Sequence, residues 1–301
     1  MNFFKFGAID IGSNAIRLLI SDISHEKGRS PQFKKVTLVR LPIRLGQDVF
    51  VDGSIAPKNE QDLLETMKGF RHLLNAYHVK AYRACATSAM RDAANGPELV
   101  AKVAQQAGID IEIIDGQMEA QLLYSTHIAE QLSQDRSYLY VDVGGGSTEI
   151  TLFSQKKVVR SQSFNIGTIR LLNNLVKVEA WDQLKAWLGE IGEEAKPLTL
   201  IGSGGNVNKI HKLLDPKEKK NLSLREIEDM YLLLDSMTFE ERIRELGLNT
   251  YRADVIVHAA RIFVTIMRKT KSVEMIVPKV GLVDGIVHQL FEEFMLREGL
   301  A

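Results

Sequence analysis

Apolar and polar positions follow a period of two in residues 140–152, YVDVGGGSTEITL, where Thr148, Ile150 and Leu152 alternate with Glu149 and Thr151. That period predicts a strand on each side of a glycine-rich turn. Residues 8–20, AIDIGSNAIRLLI, lay over the same segment and align Asp10 with Asp142, Gly12 with Gly144 and Arg17 with Glu149. Each copy reads as an apolar strand, an aspartate, a tight turn and a second strand, which is a β-hairpin. A P-loop or a dinucleotide-binding unit needs a helix straight after its glycines. Neither GxxxxGK[ST] nor GxGxxG occurs in the chain.

Elsewhere the pattern predicts a strand over 79–87, a short helix at 89–92, a helix over 98–107 and a strand over 109–114. That last strand leads into a helix expected to run through residue 132. A strand at 198–201 precedes glycines at 202–205, which open a helix over 206–214. Beyond about residue 224 helical periods dominate (226–237, 252–268, 285–297), with one short strand near 274–277. The IRLGQD segment that holds Arg44 reads as a short turn. The alternation predicts an α/β fold of two repeated lobes, 1–124 and 125–285, whose glycine turns face each other across an inter-lobe cleft. The C-terminal helix, about 286–301, is expected to return to the first lobe.

Bulk composition changes this picture little. The 301 residues are 45% hydrophobic and 25% charged, and Lys+Arg equals Asp+Glu at 38 each, so net charge points to neither nucleic acid nor an anionic membrane. A length of 301 residues favours two domains. The single cysteine, Cys85, excludes an internal disulfide and a multi-cysteine zinc site. The N-terminal segment has Asp10 and Arg17 inside its apolar run, unlike a signal peptide, and the chain reads as cytoplasmic.

The candidate chemistry is phosphate chemistry. Small residues at Gly12, Ser13 and 144–147 let backbone N–H groups approach an anion closely. Hairpin turns of this kind also occur without any ligand; two in-register copies, each with a carboxylate at the strand end, favour phosphate. The segment IGSGGNVNKI at 201–210 adds a strand, three glycines and a helix N-terminus, with Gly204 in the turn. Asp10, Asp142 and Glu149 are candidates to hold Mg²⁺, which takes one or two carboxylates and fills its shell with phosphate oxygens and water. Arg17, Arg44 and Arg91 are candidate phosphate contacts, although each taken singly reads better as a surface charge. Glu119, in the first turn of a helix, is accounted for by the helix dipole on physical grounds alone. The seven histidines show no HExxH spacing and no GxSxG is present, so zinc and serine hydrolases are poorly supported. The lysine-rich run at 217–220 reads as a solvated loop.

AIDIGSNAIRLLI, RLG at 44–46, ATSAMRDAANG at 86–96, VDVGGGSTEI and GSGG together resemble the exopolyphosphatase/guanosine pentaphosphate phosphatase (Ppx/GppA) family. The motifs stand in family order. The resemblance implies two actin-like (ribonuclease H-like) ATPase lobes. It also implies a phosphatase that releases Pi from terminal phosphoanhydrides of inorganic polyphosphate or guanosine pentaphosphate. By the same resemblance Glu119 is the base that activates water, and Glu149 is the second catalytic carboxylate, positioning Mg²⁺ or water beside Asp142. Ser13, Asn14, Arg91, Gly145, Gly146 and Ser147 correspond to phosphate contacts. Mg²⁺ is the expected cofactor, with a monovalent cation as a further candidate, and a homodimer is the expected assembly. Two other readings stand beside this one: a sugar or acid kinase of the same superfamily, and a non-catalytic sensor of guanosine tetra- or pentaphosphate.

Overall fold

The computed structural model describes residues 1–126, 133, 135–194, 197–215, 217 and 221–299, with residues 124 and 192–194 described by their backbone alone. The helix expected to run through residue 132 ends at Tyr124, with Ser125 and Thr126 in a turn, while residues 127–132 and most of the run at 217–220 lie outside the described residues. In chain order the elements begin with β1 (Asn2–Ile11), β2 (Ile16–His25), β3 (Gln32–Leu41), α1 (Leu45–Asp52) and α2 (Pro57–Ala76). Next come β4 (Ala81–Ala86), α3 (Ser88–Asp92), α4 (Gly96–Ala107), β5 (Ile111–Ile113) and α5 (Gly116–Tyr124). They continue with β6 (Ser137–Val143), β7 (Thr148–Ser154), β8 (Lys157–Phe164), α6 (Thr168–Leu172), α7 (Val178–Glu194), β9 (Leu198–Ser203) and α8 (Gly205–Leu214). The chain ends with β10 (Leu222–Ser223), α9 (Leu224–Ser236), α10 (Phe239–Leu246), α11 (Thr250–Ala253), α12 (Ile256–Thr270), β11 (Glu274–Ile276) and α13 (Leu282–Arg297).

These elements form two compact units, one of residues Met1–Thr126 with Val280–Ala301 and the other of His127–Lys279. The first holds a sheet of order β3-β2-β1-β4-β5 and the second a sheet of order β10-β11-β9-β6-β7-β8. In each, the hairpin and its third strand are antiparallel (β1–β2–β3, β6–β7–β8), and the first hairpin strand also pairs in parallel with a later one (β1–β4, β6–β9). The internal repeat is thus a repeat of sheet topology, of which the two glycine turns are the local signature.

Strand alternation divides the first sheet between two cores. Ile9, Ile11, Ile16, Leu18 and Ile20 bury against α2 and α4, while Phe6, Ala8, Leu19 and Ile23 bury against α13. Gly285 of α13 sits directly on the backbone of Leu122 in α5, where a Cβ would collide with the Leu122 carbonyl oxygen. In the second unit Leu139, Val141, Ile150 and Leu152 lie in one core with residues of α7, α8, α9 and α12.

Two local expectations are corrected. IRLGQD does not make a short turn but opens α1, because Gly46 N–H donates to Ser13 O (2.9 Å) and Leu45 and Val49 are buried. The helix expected over 252–268 is two helices, α11 and α12. The break follows from Arg242, whose Nη1 donates to Ala253 O at 3.0 Å and so satisfies the end of α11.

Candidate functional site

Both turns close with the same bond: Gly12 N–H donates to Ala15 O (3.2 Å) and Gly144 N–H to Ser147 O (3.0 Å). A Cβ on either glycine would stand 3.1 Å from that acceptor, so both closures favour glycine. Among the described residues, the amides of Ser13, Asn14, Gly145 and Gly146 donate to no backbone carbonyl. Ser13, Gly145 and Gly146 are buried. Buried amides without a partner are costly, and converging ones make an anion nest.

Other elements brace each turn. In the first unit Ser13 Oγ hydrogen-bonds Ser88 Oγ of α3 (2.9 Å), and the side-chain oxygen of Asn14 is buried without a hydrogen-bond partner. In the second unit α6 starts beneath the turn. Thr168 N–H donates to Gly144 O (3.0 Å), Ile169 N–H to Gly145 O (2.8 Å), and Arg170 Nε to Gly146 O (2.8 Å). Gly167 lies so close that a Cβ would collide with the backbone of Gly145 and Gly146. The Thr148 hydroxyl donates to Ile166 O, tying β7 to the same segment.

Cross-strand register carries the chemistry away from the turns. In the second unit Asp142 stands opposite Glu149, and Glu149 opposite Ser163. Directly opposed residues share one sheet face, with Cβ atoms roughly 5 Å apart. Ser163 Oγ donates to Glu149 Oε1 at 2.9 Å, and Glu149 is only 4% exposed. In the first unit the same row reads Asp10, Arg17, Arg40. Arg17 Nη1 lies 2.5 Å from Asp10 Oδ2, so the buried Asp10 is already charge-compensated.

Gly204 joins the second row. Its φ of +111° favours glycine, and a Cβ there would press on Asp142 Oδ1 (3.2 Å) and Val143 O (3.1 Å). The third glycine motif therefore abuts the Asp142 carboxylate while opening α8. In the first unit Arg91 Nη1 donates to Ile114 O (2.8 Å), just past the end of β5. Glu119 lies in the first turn of α5, is 9% exposed, and its N–H donates to Asp115 O (3.0 Å). Cys85, in register with Asp10 on β4, is buried, and its thiol is pushed up to about 12 by burial and then by the Glu112 charge. It is an inert core thiol.

The donor set at Asp142 and Glu149 suits Mg²⁺, a hard cation that takes oxygen ligands and keeps several waters. Among the described residues no group of three or more His, Cys, Asp or Glu side chains is placed to hold a metal ion. Sequence reasoning did not single out Ser163, Ser88, Gly167 or Arg170. The IGTIR run at 166–170, a glycine just before a helix start, was the available signal for the last two.

A family model described as the Ppx/GppA phosphatase family matches residues 23–294. The chain is 31% identical over 285 residues to a bifunctional 3-dehydroquinate synthase/phosphatase of Fusobacterium nucleatum, covering 85% of this chain and 42% of that one. It is 35% identical over 176 residues to Exopolyphosphatase 2 of Mycobacterium tuberculosis, covering 57% and 54%. The chain thus spans about half the length of these two curated relatives. Among solved structures, an exopolyphosphatase from Cytophaga hutchinsonii superposes with a TM-score of 0.82 at 24% identity, covering 96% of this chain and 98% of that one. That likeness shows the fold.

Proposed function

The chain belongs to the Ppx/GppA phosphatase family, and from that premise we propose that it hydrolyses terminal phosphoanhydrides with Mg²⁺, releasing Pi from inorganic polyphosphate or guanosine pentaphosphate. The observation that carries this reading is the registered pair Asp142–Glu149 beside the buried, unpartnered amides of Gly145 and Gly146. Carboxylates for a cation and amides for an anion stand at one strand end.

In this reading Asp142 and Glu149 would hold Mg²⁺, which would supply positive charge opposite the transferred phosphoryl group. The amides of Gly145, Gly146 and Ser147 bind phosphate oxygens, as do the first unit's turn residues Ser13 and Asn14 and the guanidinium of Arg91. Gly204 keeps the space beside Asp142 open. Arg17 serves by holding Asp10 and adding positive potential next to its turn, which makes Asp10 a weaker metal candidate than Asp142. Glu119 takes the proton of the attacking water as its oxygen bonds to the terminal phosphorus. The bridging P–O bond breaks, and Pi leaves a chain shorter by one phosphate. Such a reaction depends on positioning and electrostatics and needs no nucleophilic side chain.

The test is Pi release from polyphosphate and from guanosine pentaphosphate, side by side with Mg²⁺, with Glu119→Gln as control. The reading expects release from at least one substrate and a loss of about 10²–10⁴-fold in the variant. Release from neither overturns it, and wild-type turnover by the variant removes Glu119 as the base. A cytoplasmic homodimer belongs to the same proposal, and light scattering on the purified chain tests the dimer.

A further inference from the structure

The row that begins Asp142–Glu149 continues to a third strand. Ser163 is directly opposite Glu149 on β8, and its hydroxyl donates to Glu149 Oε1 at 2.9 Å. Glu149 is nearly sealed from solvent while Ser163 is exposed. The hydroxyl is thus a fixed donor at the solvent edge of a carboxylate whose other cross-strand neighbour, Asp142, is also acidic. Two acidic side chains whose Cβ atoms stand roughly 5 Å apart repel, and each is driven to turn away. A donor on the far side of Glu149 opposes that, because a charge-assisted hydrogen bond fixes the carboxylate's rotamer.

We propose that Ser163 is a positioning residue, whose hydroxyl fixes the rotamer of the Glu149 carboxylate and aims it for the reaction; this rests on the phosphatase reading for the role of Glu149 but not for the bond itself. Ser163 touches neither substrate nor cation in this account. The first unit supplies the internal contrast, since Arg40 occupies the equivalent place beside Arg17 and no acidic pair there needs a donor.

The experiment compares wild type with Ser163→Ala, Ser163→Thr and Glu149→Gln, together with the Ser163→Ala/Glu149→Gln double variant. Pi release from polyphosphate is read as kcat and KM separately. The Glu149 carboxyl ¹³C resonance is read at one fixed pH, with its signal assigned by difference against Glu149→Gln. Expected in Ser163→Ala are a kcat lower by about tenfold, a KM within about twofold and a displaced Glu149 carboxyl resonance. Ser163→Thr, which keeps the hydroxyl on a strand that tolerates β-branching, restores both. In the Glu149→Gln background, Ser163→Ala costs nothing further. An unmoved Glu149 resonance overturns the proposal, as does an equal loss of kcat in both backgrounds. If wild type releases no Pi, the phosphatase reading falls, and the carboxyl resonance still decides whether Ser163 holds Glu149.

Discussion

Two hairpins in this chain share a turn, a closing hydrogen bond and a sheet topology, yet their cross-strand rows carry opposite charge. The first row reads Asp10, Arg17, Arg40 and sums to +1 (one negative, two positive); the second reads Asp142, Glu149, Ser163 and sums to −2. Asp10 is held by Arg17 at 2.5 Å, whereas Asp142 faces a second carboxylate. At close range Coulomb's law makes the first row the better neighbour for an anion and the second the better neighbour for a cation, which is the contrast the proposed function builds on. What stands opposite one aspartate distinguishes the two copies of the hairpin.

The sharpest way to break that division is to make the second hairpin resemble the first. Glu149→Arg should pair with Asp142 as Arg17 pairs with Asp10, leave the fold intact by circular dichroism, and lower kcat for Pi release by roughly 10³-fold. Retained turnover would remove the second row from the chemistry.

The next largest effect lies in the first hairpin. Arg17→Gln leaves the buried Asp10 carboxylate without its cation and should cost about 2–3 kcal/mol in urea unfolding, less than a fully buried pair because Arg17 is one-third exposed. Asp10→Asn in the same chain should return most of that stability. If it does not, the pair is not what Arg17 contributes.

The turns differ in bracing, and Gly167 is where to probe it. Gly167→Ala pushes a methyl group into the backbone of Gly145 and Gly146. It should destabilise by about 1–3 kcal/mol and raise KM for polyphosphate by disordering the amides. An unchanged KM would mean that those amides do not bind the substrate.

The smallest expected effect is a pH dependence in the second unit. His258 on α12 is held below its ordinary range by burial, and then by the charges of Arg261 and Arg242. The unfolded chain therefore takes up the proton first, so the contribution is complete above about pH 6.5 and is lost as pH falls below it. Urea midpoints should drop between pH 7.5 and 5.5, and His258→Gln should flatten that drop.

The hairpins were legible in sequence because a period of two and an aligned repeat are local signals, and so was the contrast of Arg17 with Glu149. What stands beside them was not. Ser163 reaches Glu149 across a strand pair 14 residues apart in sequence, and Ser88 reaches Ser13 across 75. No local pattern encodes such distances. Similarly, the gap between α11 and α12 depends on Arg242 capping from another helix, while the apolar period runs through it. Glu119 illustrates the reverse: its helix-start position is ordinary, and only family resemblance gives it a role.

The division of labour between the hairpins is tested most directly by titrating Mn²⁺, as a spectroscopic stand-in for Mg²⁺, by electron paramagnetic resonance into wild type, Asp142→Asn, Glu149→Gln and Asp10→Asn without substrate. The account predicts one site in wild type, weakened at least about tenfold by either change in the second row and unaffected by Asp10→Asn. Loss of the site in Asp10→Asn, with both second-row variants binding normally, would contradict it.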